Sequence, residues 1–215
     1  MLDGILATYP YTRLTMKKFE EKTFSIPPLV GISATNVSEH LKLYAGYVKN
    51  ANAILEKLPE YAGYTSNDAF APYVIGELRR RFSFEYNGMR NHEVYFSSLE
   101  GGPQPLRDGA LKSLIEASWG SVDACVQEIK TLALTRGIGW AVLWHDPRDN
   151  RLVTSWMDEQ HMGILNGCAM IIALDMWEHA FVADYQPSGK KKYVDDFFAN
   201  LNWQRVESHF VQHAS

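Results

Sequence analysis

Asp175-Met176-Trp177-Glu178-His179 is the segment with the most evident chemistry, because it follows the strongly apolar stretch 168–174. It sets a carboxylate and an imidazole four residues apart. A carboxylate buried there is costly unless it gains a partner, and two arrangements supply one. Asp175 can cap the turn that follows while His179 stays solvated. Alternatively, both side chains hold a metal ion with further donors from elsewhere.

Two upstream histidines are candidates for those donors. His40 shares a helix face with Tyr44 and Tyr47, since offsets of four and seven residues return to one side at about 3.6 residues per turn. His92 follows Asn91 and precedes Val94, Tyr95 and Phe96. Either histidine alone would ordinarily be a satisfied core residue. Together with Asp175 and His179 they make three imidazoles and one carboxylate, a mixed N/O set that suits Fe, Mn or Zn. His145 beside a turn, and His209 and His213 in the polar C-terminal stretch, are expected to be solvated. His161 is ambiguous because it adjoins Gln160.

The elements that must position these residues follow from periodicity and punctuation. Apolar residues at helical spacing, preceded by Ser and Thr as candidate caps, predict one long helix from about Ser33 to Pro59. A Gly/Ser/Asn/Pro-rich loop over 60–72 leads to a second helix over 73–99, closed by Glu100-Gly101-Gly102-Pro103. Two shorter helices flank Trp119-Gly120-Ser121. Two β-type runs then surround a turn at 146–150, a third strand covers 168–177, and one amphipathic helix over 193–214 closes the chain. The expected fold is α+β, with residues 1–23 an N-terminal extension, 24–104 a helical hairpin domain, and 105–215 a domain with a three-stranded antiparallel sheet flanked by helices.

Composition narrows the partners. With 46% hydrophobic and 21% charged residues the chain reads as globular. A net charge of -4 argues against nucleic acid, and no apolar run is long enough to span a membrane. Cys125 and Cys168 form neither a CxxC motif nor a disulfide framework, and the start lacks a signal-peptide pattern, so a cytoplasmic location is expected.

The string DMWEHAF resembles the D-x-W-E-H-A-[FY] signature of iron/manganese superoxide dismutases. From Phe24 onward further blocks agree in order: SIPPL, ISATNVSEH, Asn91-His92 with aromatics, GGPQP, WGSVDAC, GIGWAVLW and VDDFFANLNWQRVESHF. The resemblance implies one Mn or Fe ion per subunit, held by His40, His92, Asp175 and His179 and completed by a solvent molecule. It also implies conversion of superoxide to dioxygen and hydrogen peroxide through M(III) and M(II). Tyr47, with Val48 and Asn50, matches the gateway tyrosine, and Trp140 and Trp177 match aromatics that wall the pocket. A glutamine that bonds the solvent ligand comes, in the family, from the second helix or from the sheet. Here the helix position is Gly88 and the other is Gln160, a pairing that resembles the manganese type; a one-residue slip would put His161 there instead.

Two departures accompany these matches. The offset from His40 to Tyr47 is seven residues where the family usually has eight, and Tyr44 stands where a histidine is usual. The extra family residue commonly makes a helix bulge, so a regular helix is expected here. Tyr44 is expected to fill the histidine's space, its hydroxyl near Tyr47 and bonded to water, Tyr47 or a backbone carbonyl. Val182 replaces the tyrosine that reaches that histidine across a dimer interface. Glu178, which pairs with the partner subunit's histidine ligand in the family, is retained, so a homodimer or a tetramer is expected. The alternative to an active dismutase is a metal-binding relative with little turnover because of the altered channel. A zinc hydrolase would need a general base, and no spare carboxylate stands at a matching position.

Overall fold

The computed structural model describes residues 17–61 and 69–213. Two long antiparallel helices open the fold: α1 (Ala34–Tyr61) and α2 (Ala71–Ser97). Ser33 caps α1 by accepting the Asn36 amide at 3.1 Å, as its position before the apolar pattern predicts. The helix outlasts Pro59 by two residues, because a proline in the last turn forfeits few helical bonds. It is α-helical throughout, with no bulge between His40 and Tyr47.

Beyond them come α3 (Ala110–Trp119), α4 (Val122–Ala133) and strands β1 (Gly139–Asp146), β2 (Arg151–Asp158) and β3 (Ala169–Asp175). The antiparallel sheet has the order β2-β1-β3, so β1 lies in the middle and is buried through seven of its eight residues. Trp140 pairs with Asp175 across β1 and β3, which brings the end of β3 to the start of the central strand. The expected α+β architecture is the observed one.

The C-terminal helix differs from expectation. Instead of one helix there are two, α5 (Lys190–Asn200) and α6 (Trp203–His213). The amphipathic pattern runs through the break, but Leu201 is extended (ψ 129°). Asn202 then accepts the amides of Gln204 and Arg205 at 3.1 and 3.3 Å, while its own amide group donates to the Glu100 carbonyl at 2.7 Å. Asn202 thus starts one helix and ties it to the chain after α2. Asn202→Ala should cost about 1–2 kcal/mol, read as a shift in the urea midpoint with little change in slope.

Residues 17–30 lie along the helical hairpin. The Asn52 side chain bonds both the amide and the carbonyl of Phe19 at 2.9 Å, and Ser25 donates to Glu100 at 3.0 Å. The stretch expected as an extension is therefore packed from residue 17 on, held by backbone bonds that leave no periodic signature. Residues 1–16 lie outside the described residues. No helix among the described residues is long and apolar enough to cross a membrane.

Candidate metal centre

The fold brings together four side chains from four elements: His40 on α1, His92 on α2, Asp175 at the end of β3, and His179 in the 3-10 turn Glu178–Ala180. Asp175 Oδ2 is the focus. The Nε2 atoms of His179, His40 and His92 stand 3.1, 3.2 and 3.5 Å from it, and all four candidate donor atoms lie within 4.8 Å of one another. Donors about 2.1 Å from one ion, at angles of 90° to 120°, would be roughly 3.0–3.6 Å apart, and the three distances from Asp175 to the histidines fall in that range. Asp175 Oδ1 accepts the Trp177 amide at 2.8 Å. One oxygen of Asp175 thus serves the turn, and the other faces the three histidines.

His92 tests whether the group fits. Its Nδ1 donates to the Gly88 carbonyl at 2.6 Å, leaving a lone pair on Nε2. That buried Nε2 has no hydrogen-bond partner and faces a carboxylate oxygen that also carries lone pairs. Two buried acceptors aimed at one another are unfavourable without a cation between them. The donor set, the spacing and this orphaned nitrogen all suit a divalent or trivalent first-row ion.

Electrostatics keep His40, His92 and Asp175 deprotonated. Burial lowers the affinity of His40 for protons, and lowers His92 to about 3, with His40 adding repulsion at His92. Burial alone would raise Asp175, but attraction and hydrogen bonding from His179 and His40 outweigh it and hold the carboxyl well below its usual range. Neutral imidazoles around a carboxylate are the forms a metal binds.

A polar chain adjoins the cluster. Trp140 Nε1 donates to Gln160 Oε1 at 3.0 Å, and Gln160 Nε2 donates to the Tyr47 hydroxyl at 2.9 Å. The bond to Tyr47 is made by Gln160 and not by its neighbour His161. The ring of Tyr47 lies 5.0 Å from His92 and that of Trp140 5.1 Å. Burial, then Asp175 and Glu85, push the Tyr47 hydroxyl far above its usual range, so it keeps its proton. Gly88 is the complement of Tyr47: a Cβ there would meet the tyrosine ring at 2.5 Å. Trp177 stacks on His179 at 5.7 Å and donates to the Glu159 carbonyl at 3.2 Å.

Residues 107–209 match the family described as iron/manganese superoxide dismutases, C-terminal domain. Over 90% of this chain and 96% of the relative, the sequence is 38% identical to a protein named superoxide dismutase [Fe] of Cupriavidus metallidurans. Another of that name, from Aquifex aeolicus, is 36% identical over 85% of each chain. A superoxide dismutase [Mn] of Mycobacterium intracellulare is 32% identical over 82% of this chain and 83% of its own length. The chain belongs to the iron/manganese superoxide dismutase family. Both metals occur in the names of its relatives.

Within that family several residues of this chain sit in unexpected places. Tyr44 is fully buried, but its hydroxyl accepts the Lys22 amide at 2.9 Å and faces Glu93 at 3.4 Å, and its ring packs on Phe24 and Phe96. The hydroxyl thus bonds neither Tyr47 nor a backbone carbonyl, because the regular helix turns Tyr44 toward the N-terminal segment. Glu178 and Val182 are exposed. His145, expected in solvent, is buried at 1% exposure against Phe210 and pairs with Asn150, and half-buried His209 bonds Ser97 at 2.8 Å. The side chain of His213 lies outside the described residues. Sequence reasoning did not assign Asn91, which holds the Gln160 carbonyl at 2.9 Å. Its one available signal was an amide next to His92 on an otherwise apolar face.

Proposed function

We propose that this protein is a superoxide dismutase that binds one iron or manganese ion through His40, His92, Asp175 and His179. What carries the reading is the ring of three histidine nitrogens around one buried carboxylate oxygen, in a chain of this family. The ion supplies one-electron chemistry: one superoxide is oxidised to dioxygen, and a second, with two protons, is reduced to hydrogen peroxide. The protein excludes bulk water with Trp140, Trp177 and Tyr47 and keeps a proton on the Tyr47 oxygen beside the site. Gln160 fixes that oxygen, and Trp140 and Asn91 fix Gln160.

Manganese is the metal we assign. Its support is Gln160 reaching in from the sheet opposite Gly88, the pairing that resembles the manganese type. Purified protein should be analysed for metal, then stripped and reloaded separately with Mn and Fe before superoxide assays. Activity in the Mn form above that in the Fe form is expected. Activity in neither form would sink the dismutase reading, and metal bound with very slow turnover would favour a relative disabled by the changes at Tyr44 and Val182.

Gln160→Ala removes the group that orients Tyr47. It should raise the reduction potential of the loaded protein and slow both half-reactions, measured by redox titration and pulse radiolysis. Exposed Glu178 is free to orient His179 of a second copy, so we assign a homodimer, which light scattering checks. We place the protein in the cytoplasm, on the support of its two free thiols, and divide it at residue 104 into hairpin and sheet domains.

A further inference from the structure

Arg81 belongs to none of the contacts above, yet it stands over the aromatic cover of the site. Its guanidinium carbon is 3.8 Å from the centroid of Phe84, and Phe84 lies 6.0 Å from Tyr47, 5.7 Å from His161 and 6.4 Å from Trp177. Phe84 and Tyr47 are each 8% exposed, so both rings reach solvent at an edge. Arg81 Nε donates to Glu85 Oε1 at 2.7 Å, and the other carboxylate oxygen faces the Asn50 amide at 3.3 Å. The two charges are unequally placed: the Arg81 side chain is 44% exposed and that of Glu85 only 4%. An anion arriving from solvent meets the cation first. A cavity of about 380 Å³ between α1 and α2 has Asn50, Lys57, Arg81 and Glu85 in its walls.

Neighbouring charges do not duplicate this arrangement. Arg80 is held in two bonds by Glu77, and Lys57 pairs with Glu60. The whole chain carries a net charge of -4, which repels an anionic substrate at long range. Both members of the Arg81–Glu85 pair act on the Tyr47 hydroxyl, Glu85 raising its proton affinity and Arg81 lowering it.

We propose that Arg81, held in place by Glu85, guides superoxide to the mouth beside Phe84 and Tyr47. This rests on the dismutase reading above. A unit charge one or two helical turns from the path is worth about a factor of two in water and is screened by salt. At low ionic strength, Arg81→Ala should therefore lower kcat/KM about twofold and Arg81→Glu about fourfold, with Arg81→Lys close to wild type. Glu85→Gln should raise it about twofold, a change of sign that structural damage cannot mimic. The differences should shrink as ionic strength rises.

The same variants, loaded with metal, are titrated with azide by visible absorption, and its dissociation constant should follow the same order. An active Arg81→Glu protein with wild-type kcat/KM and salt dependence would overturn the proposal, as would a lowered rate in Glu85→Gln. If the wild-type loaded protein has no dismutase activity, the functional reading fails instead. The azide order then decides the anion guidance alone, upholding it if preserved and overturning it if absent.

Discussion

Asp175→Ala should give a protein that purifies without metal and has no superoxide-dismuting activity. Its Oδ2 is the one anionic donor in the cluster and lies 3.1 to 3.5 Å from all three imidazole nitrogens. Losing a residue that merely orients a metal ligand typically weakens binding about 10–100-fold, so losing the central donor should exceed that. Elemental analysis after dialysis checks the result, and retention of a full equivalent of metal would disprove the assignment. Asp175→Asn is the finer test. It keeps the shape and can keep the bond to the Trp177 amide, so the turn should survive while the charge is lost.

Acid should be the second large lever. In the folded chain His92 titrates at about 3, against about 6.5 in the unfolded chain. Between those values the unfolded state binds a proton that the folded state refuses. Stability of the metal-free protein therefore falls as pH drops through that window, by about 1.4 kcal/mol per pH unit for such a histidine. His40 is lowered too and adds to the slope. Asp175, held below its ordinary 3.8, extends the loss to lower pH, since the unfolded carboxylate protonates first. Urea unfolding of the stripped protein from pH 7 to 4 should show this fall, and His92→Gln should flatten it by about one proton. Metal loss should occur in the same direction, because protons compete for the same donor atoms.

Much of this site was legible because its chemistry is local in sequence. The apolar stretch ending in Asp175, with His179 one turn on, reads as strand, carboxylate and imidazole before any coordinates are known. The same holds for the hairpin turn at 146–150 and for the break at Gly120. What could not be read depends on contacts distant along the chain. The Tyr44 hydroxyl is claimed by Lys22, in a segment whose backbone bonds have no periodicity. His145 sits beside a turn and looks solvated, but α6 returns to cover it with Phe210. The split between α5 and α6 was hidden because the apolar pattern continues across it, while the deciding bond runs from Asn202 to Glu100.

The fit between Gly88 and Tyr47 has an evolutionary consequence. With a Cβ at 88 only 2.5 Å from the tyrosine ring, a glutamine cannot be introduced on the helix while Tyr47 and Gln160 keep their present places. A chain that acquires a glutamine at 88 must therefore also shift Tyr47, and with it the bond that Gln160 donates to the hydroxyl. The permissive order begins with a change that lets Tyr47 move, after which position 88 can grow.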